Sequence, residues 1–366
     1  MTNTLSLDSL TKTFLKYQHV LVFLAPALFV ALVVTAAPTQ SAEPGLDYWL
    51  EYWWLFPFFL LGATIVNTVG ISGAALFVPF LIFIFPLFAF PVASETIVKI
   101  SLISESFGLS SSTLAFISYG LVDRRLAVAL VGGALPFVVG GALLSFFIPE
   151  VIFQFLLALL LLLSAYTLVV TDVGHEEPGG DDHDAAPTAA ADGGPSGPLP
   201  DDDAKLGPAG VATDGSGDVT RVDRDGNDYR YDRGGYLERF GVYGFGGVFQ
   251  GLAGFGIAEI GIVSMLRSAI PVRIAIGTNH VVVATTAIIA SLTHVFGGGI
   301  VGGHEIDLAS TPWNMVVFTV PATVIGGQLA PYVAAALDTG TLKRFIAAVF
   351  GVIATALFVL VGQGLL

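Results

Sequence analysis

The sequence predicts an all-α polytopic membrane protein built from two inverted repeats. Each repeat is a glycine-broken, re-entrant helix followed by about three transmembrane helices, and an extra helix precedes the first. Three observations lead there. The 366 residues are 54% hydrophobic and only 12% charged, with a mean hydropathy of +0.79. Several separate apolar stretches reach about 20 residues, the length that spans a bilayer. Two glycine-interrupted runs, GATIVNTVGISGAALFVP from Gly62 and GGVFQGLAGFGIAEIGIV in the second half, echo one another, with Gly70 and Gly254 184 residues apart.

The first run carries the strongest argument. Leu55 to Phe90 is 36 residues without a charged side chain. As one helix it would be about 54 Å long, against a hydrocarbon core of about 30 Å. It must bend back or break near its glycines. Backbone freed by a break cannot face lipid with its N–H and C=O groups unpaired, so it lines a protein cavity. Two breaks in related halves point to a central transport site.

Taken in order, residues 1–53 hold a polar lead-in with Lys12 and Lys16, an apolar run Val20–Ala37, and an aromatic cluster. The run reads either as a retained helix or as a cleaved signal segment. Tyr48, Trp49, Tyr52, Trp53 and Trp54 form an interfacial belt. Residues 54–171 form the first repeat. Its segments are A (Leu55–Phe90), B (Val92–Tyr119), C (after Asp123-Arg124-Arg125, to Phe147) and D (Val151–Val170).

Residues 172–239 are rich in Asp, Gly, Pro and Ala and hold 17 acidic against 6 basic residues. Most of the net charge of −14 therefore belongs to this stretch, which reads as a disordered cytoplasmic loop. Within it, TRVDRDGNDYRYD alternates and turns at Asp225-Gly226-Asn227, the pattern of a β-hairpin. Its acidic spacing lacks the glycine placement and closing glutamate of a calcium loop. Residues 240–366 form the second repeat: A′ (Val242–Leu266), B′ (Ile274–Phe296), C′ (Trp313–Leu337) and D′ (Leu342–Leu360). Pro91-Val92 answers to Pro271-Val272, and Pro136 with Gly140-Gly141 answers to Pro321 with Gly326-Gly327.

Charge sets the orientation. If A enters and leaves on one face, the Asp123-Arg124-Arg125 loop, Arg267, Arg273, Lys343 and Arg344 all fall on the cytoplasmic side. A single crossing would put Arg124 and Arg125 outside. An odd number of crossings per half then inverts the repeats.

These features resemble the sulfite exporter TauE/SafE family of membrane transporters. The resemblance rests on VGISGAALFVPFL and LAGFGIAEIGIV, on AIGTNHVVVA opening B′, on the turn GLVDRRLAVAL before C, and on the small-residue C segments. It covers all but the N-terminus and the central loop. It implies export of sulfite, organosulfonates or related anions across the cytoplasmic membrane. Where that family carries a glycine run, this chain has Ile71-Ser72-Gly73-Ala74 and Phe255-Gly256-Ile257-Ala258.

An anion suits such breaks, because half-helix N-termini present unpaired N–H groups and positive dipole ends. Asn67, Ser72, Gly73, Gly254 and Gly256 are the candidates around the breaks, with Gln250 as a further neutral donor. The alternative is that Ser and Thr back-bond to their helices and the glycines serve packing. Lys99 is either the anion's counter-charge, with Asn279 as its repeat-mate, or the i,i+4 partner of Glu95. Thr278, Asn279 and His280 complete the candidate substrate site. Glu105 and Glu259, costly at membrane depth, are the candidate proton carriers.

The expected partners are the lipid bilayer, a small anion and protons, with no nucleic acid, no cofactor and no metal. Oligomeric state is not written in the sequence, and the absence of cysteine excludes disulfides and thiol chemistry. Two other classes stay open. One is a passive anion channel. The other is a rhomboid-like intramembrane protease using Ser72 of Gly70-Ile71-Ser72-Gly73 with His280 or His294.

Overall fold

The computed structural model describes residues 13–14, 16–38, 45–170, 212–213, 219–222, 228–231, 234–267, 270, 272–297, 308, 311–336 and 339–364. The calcium-like spacing and most of the acidic stretch lie outside the described residues. Within that stretch, strands β1 (Ala212–Thr213), β2 (Val219–Val222) and β3 (Asp228–Tyr231) form a small antiparallel sheet in the order β1-β2-β3. Val222 pairs with Asp228 across the β2–β3 turn, which is the hairpin the alternating pattern predicts.

The remainder is helical. Short α1 (Gln18–Leu21) and α2 (Leu24–Ala36) lead to α3 (Leu46–Leu50). α2 packs on the bundle through Phe29 against Phe107, ring centroids 4.8 Å apart, and through Val33 near Trp313. The first half is α4 (Leu55–Val69), α5 (Ala74–Pro79), α6 (Ser94–Ser118), α7 (Arg124–Ser145) and α8 (Glu150–Val170). The second is α9 (Gly234–Ala253), α10 (Ile257–Arg267), α11 (Val272–Phe296), α12 (Trp313–Ala336) and α13 (Thr339–Gly364). Helix α9 starts six residues ahead of the boundary that composition suggests.

Both long apolar runs fold back as helical hairpins. In hairpin 1, Phe59 stacks on Phe77 at 4.4 Å, Phe58 meets Phe80 at 4.9 Å and Trp54 stacks on Phe85 at 5.4 Å. Residue numbers rise on one arm as they fall on the other, so the arms are antiparallel and the tip is Gly70–Gly73. Pro79 has no N–H to give the Ala75 carbonyl, and the next turn, Phe80–Ile84, widens to π geometry before tightening through Phe85–Leu87. In hairpin 2, Gly246 lies against Ile257, Gly256 against Phe249, and Gly261 against the ring of Tyr243. Its tip is Gly254–Gly256. By length and composition Leu46–Val69 is one of six helical stretches among the described residues able to span a membrane. The pairing within hairpin 1 shows that its α4 portion is one arm of a fold-back.

The first arm of each hairpin packs on a helix of the other half. Along α4 and α12, Glu51 meets Asn314, Gly326 faces Leu60–Thr64, and Thr68 reaches the Ala330 carbonyl. Along α9 and α7, Gly133 meets Phe240, Gly141 meets the Val248 carbonyl, and Gly251 meets Val138 and Ala142. Both pairs run parallel. Helix α12 also runs parallel to α6, through Ser104–Thr319 at 2.7 Å and Ser111 to Val324 O at 2.8 Å. Helix α7 runs parallel to α11, from Asp123 beside Thr278 to Phe146 beside His294. Because α6 and α7 are consecutive and antiparallel, α4, α6 and α12 point one way and α7, α9 and α11 the other. Arms α4 and α9 are therefore antiparallel, and the tips meet in the interior. Helices α8 and α13 flank this assembly and pack on each other, with Phe155 on Phe358.

Candidate functional site: the junction of the two hairpin tips

Each tip begins with a glycine in the left-handed region. Gly70 has φ 76° and Gly254 φ 84°, a conformation that costs an L side chain about 1 kcal/mol or more. At Gly70 the helix closes with Ile71 N donating to Val66 O (3.1 Å), the 6→1 bond of a Schellman cap. At Gly254 the closing bond is Gly254 N to Gln250 O (2.9 Å). Gly256, at φ 121°, then sets the chain up for α10. Glu259 reaches back to the Gly256 N–H at 2.8 Å, the carboxylate half of a capping box.

The same carboxylate joins the two halves. Glu259 Oε1 accepts from Ser72 N at 3.0 Å while its Oε2 holds Gly256 N, so one oxygen serves each hairpin. Ser72 Oγ lies 2.5 Å from Glu105 Oε1 on α6 and 2.9 Å from the Gly254 carbonyl. Glu105 Oε2 accepts from Ala74 N at 3.4 Å. Asn279 on α11 closes the opposite side. Its Nδ2 donates to Gly70 O (3.3 Å) and Ala258 O (2.9 Å), and its Oδ1 accepts from the Tyr243 hydroxyl (2.8 Å). Ser72, Glu105, Glu259, Asn279 and Tyr243 are all buried.

Of the residues singled out by sequence, the junction thus gathers Ser72, Gly254, Gly256, Glu105, Glu259 and Asn279, and Gly73 caps α5 beside them. Others lie elsewhere. Lys99 pairs with Glu95 at 2.8 Å, and it sits six residues before Glu105, about 9 Å along the helix. Thr278 accepts from Asp123 N (2.9 Å) and so holds the start of α7. His280 bonds through Nδ1 to Ser112 Oγ (3.0 Å) and packs edge-on against Phe116, leaving Nε2 buried without a partner among the described residues. Asn67 donates back to Ala63 O within its own helix, and its Oδ1 has no partner among the described residues. Gln250, just before the second tip, is fully buried with neither amide atom bonded among the described residues.

The hydroxyl of Ser72 is engaged by Glu105 rather than by a histidine, because His280 is bonded to Ser112 and His294 to the Gly251 carbonyl. Tyr243 is the junction residue that sequence reasoning misses. A cavity of about 460 Å³ lies between the N-terminal helices and α6, lined by residues such as Leu21, Leu24, Phe107 and Leu114, and its lining includes none of the tip residues.

Two broken helical hairpins that meet tip to tip inside a bundle of spanning helices, with polar groups concentrated at the contact, define a polytopic membrane transporter. The chain belongs to the TauE/SafE family: the family model described as "Sulfite exporter TauE/SafE" matches residues 55–357, from the first residue of α4 into α13. That family consists of multi-pass membrane transporters that export sulfite and related anions, not of enzymes. No curated protein and no solved structure matches the chain.

Proposed function

We propose that this protein exports a small oxyanion, sulfite or an organosulfonate, across the cytoplasmic membrane, coupled to protons, by alternating access between two inverted repeats. The observation that carries the reading is the junction itself. Two antiparallel arms, α4 and α9, bring two backbone breaks to one buried point where main-chain N–H groups are already engaged by carboxylate oxygens. Donors that hold a carboxylate match the chemistry of a substrate oxyanion. Of the two buried carboxyls Glu105 is the proton carrier and Glu259 the acceptor that ties the tips, and Ser72, Asn279, Gly254 and Gly256 frame the substrate. The orientation follows from the basic residues, with residues 172–239 cytoplasmic.

The test is uptake into proteoliposomes across sulfite, sulfonate, thiosulfate and carboxylate anions, with and without a pH gradient. Sulfite or a sulfonate should move, and faster with the gradient. Flux indifferent to the gradient and to Glu105→Gln would make the protein a channel, and movement of none of the anions would end the transporter reading. Orientation is checked on the naturally cysteine-free chain. Single cysteines at Ser118 and Ser216 should react from the cytoplasmic face, and external labelling at Ser118 would overturn the inverted arrangement.

A further inference from the structure

Ser72 has one hydroxyl proton and two acceptors in reach: Glu105 Oε1 at 2.5 Å and the Gly254 carbonyl at 2.9 Å. A carbonyl oxygen only accepts, so the contact to Gly254 is a hydrogen bond only if Ser72 donates to it. Ser72 Oγ must then accept from Glu105, which requires that Glu105 carry a proton. With Glu105 ionised, the carboxylate takes the Ser72 proton, and the oxygens of Ser72 and Gly254 face each other as lone pairs. Glu259 is placed oppositely. Both of its oxygens accept main-chain N–H groups, so it needs no proton of its own.

We propose that Glu105 is protonated when the tips are closed, and that Ser72 passes its protonation state to the opposite hairpin. The chain Glu105 O–H to Ser72 Oγ–H to Gly254 O=C is a proton-dependent clasp between the two repeats. When the proton leaves Glu105, Ser72 turns its hydrogen to the carboxylate and the bond to Gly254 is lost. Ser72 is thus a positioning residue acting through Glu105. This rests on the proton-coupled reading above and supplies the device that reading needs, because a proton gained or lost on α6 changes the grip between hairpins.

Few other groups can titrate against the clasp. Glu259 faces it from α10, across Ser72. Helix α11 offers His280, which is tied to Ser112, and His294, which is tied to the Gly251 carbonyl. On α6 itself Glu95 and Lys99 are paired with each other. Helices α4 and α5 carry no ionisable side chain, α7 has only Arg124 and Arg125 at its start, and α12 has only Tyr332 near its end. From α9, Tyr243 is bonded to Asn279, with Glu238 and the buried Arg239 about one turn before it, while Arg267 ends α10 and Arg273 stands at the start of α11.

The test is run on the purified full chain in lipid, without substrate. Infrared spectra across a pH titration should show a protonated-carboxyl C=O band. That band should vanish in Glu105→Gln and survive in Glu259→Gln. It should shift in Ser72→Ala and return to the wild-type position in Ser72→Thr. Hydrogen exchange over residues 66–78 and 250–262, corrected for intrinsic rates, should rise about tenfold as the band is titrated away. Glu105→Gln, whose amide N–H donates to Ser72 as the acid would, should hold both segments protected at every pH. A wild-type protein without the band, or exchange that ignores pH, overturns the clasp. If the clasp behaves as described and no anion crosses proteoliposomes, the transport reading fails while the clasp stands.

Discussion

Hairpin 1 turns through Gly70-Ile71-Ser72-Gly73 and carries no acid of its own; Glu105 reaches it from α6 and Glu259 from the other half. Hairpin 2 turns through Gly254-Phe255-Gly256 and brings Glu259 three residues after its second glycine. The backbone demand is shared, since each arm ends on a glycine with φ near 80°. The side-chain chemistry is not shared. Where α6 supplies a carboxyl to tip 1, α11 supplies the Asn279 amide to the Gly70 carbonyl. An amide donates and accepts at any pH, whereas a carboxyl donates only with its proton. The two halves thus share the geometry that brings two breaks together, while pH sensitivity is concentrated on one side of the contact.

The largest expected effect is at Glu259, the group that touches both tips. Glu259→Gln replaces one acceptor oxygen by an NH₂ group, so either Ser72 N–H or Gly256 N–H loses its partner. A buried orphaned donor costs about 1–3 kcal/mol, and anion uptake in proteoliposomes should fall about 100-fold. Asn279→Ala, which strips the constant link instead, should lower uptake without altering its pH profile. Both variants leave Glu105 and Ser72 in place, so Glu259→Gln should also keep the wild-type pH profile. A profile moved by either variant would mean that proton handling is not confined to Glu105 and that the contrast is wrong.

The packing between halves gives the next effect. A Cβ on Gly141 would overlap the Val248 carbonyl on the hairpin 2 arm, and a Cβ on Gly326 would lie 2.9 Å from the Leu60 carbonyl on the hairpin 1 arm. Backbone cannot yield as a side chain does. Gly141→Ala should cost about 1–3 kcal/mol in thermal unfolding, with Gly326→Ala in the same direction but smaller. Gly140→Ala, with nothing within 4 Å of the added carbon, should stay within about 0.5 kcal/mol of wild type.

A smaller loss is expected at Tyr243→Phe, which takes the donor from Asn279 Oδ1 and leaves ring packing intact. About 1 kcal/mol of stability should go, read as a lowered Tm at unchanged expression. An unchanged Tm would mean that Asn279 is held by Gly70 and Ala258 alone.

The hairpins were legible because membrane physics leaves little choice. An uncharged 36-residue run broken by glycines is too long to cross once, and Arg124 and Arg125 fix where it must return. Glu105 and Glu259 were legible because carboxyls at depth are expensive. The neighbours of Asn279 were harder to place. Successive helical residues point about 100° apart, so Thr278 turns to Asp123 and His280 to Ser112 while only Asn279 faces the tips. Tyr243 carried no signal, because one aromatic among the glycines of α9 reads as packing. Gly261 is its only trace: the ring fills the space where a side chain there would sit.

The smallest effect sharpens the boundary of the site. Lys99 is the one buried amine on α6, and charge alone would draw it toward a substrate anion. Its Nζ instead lies 2.8 Å from Glu95, whose side chain is 56% exposed, at the end of the helix remote from Glu105. A pair open to solvent on one side contributes about 0–1 kcal/mol. Lys99→Gln should therefore leave uptake within about threefold of wild type and its pH profile unmoved. Glu95→Gln frees the ammonium, and stronger binding of sulfite would follow only if Lys99 can then reach the anion's path. A loss beyond about tenfold in Lys99→Gln would extend the site from the tips toward the start of α6, and the first half would then supply a cation as well as an acid where the second half supplies an amide.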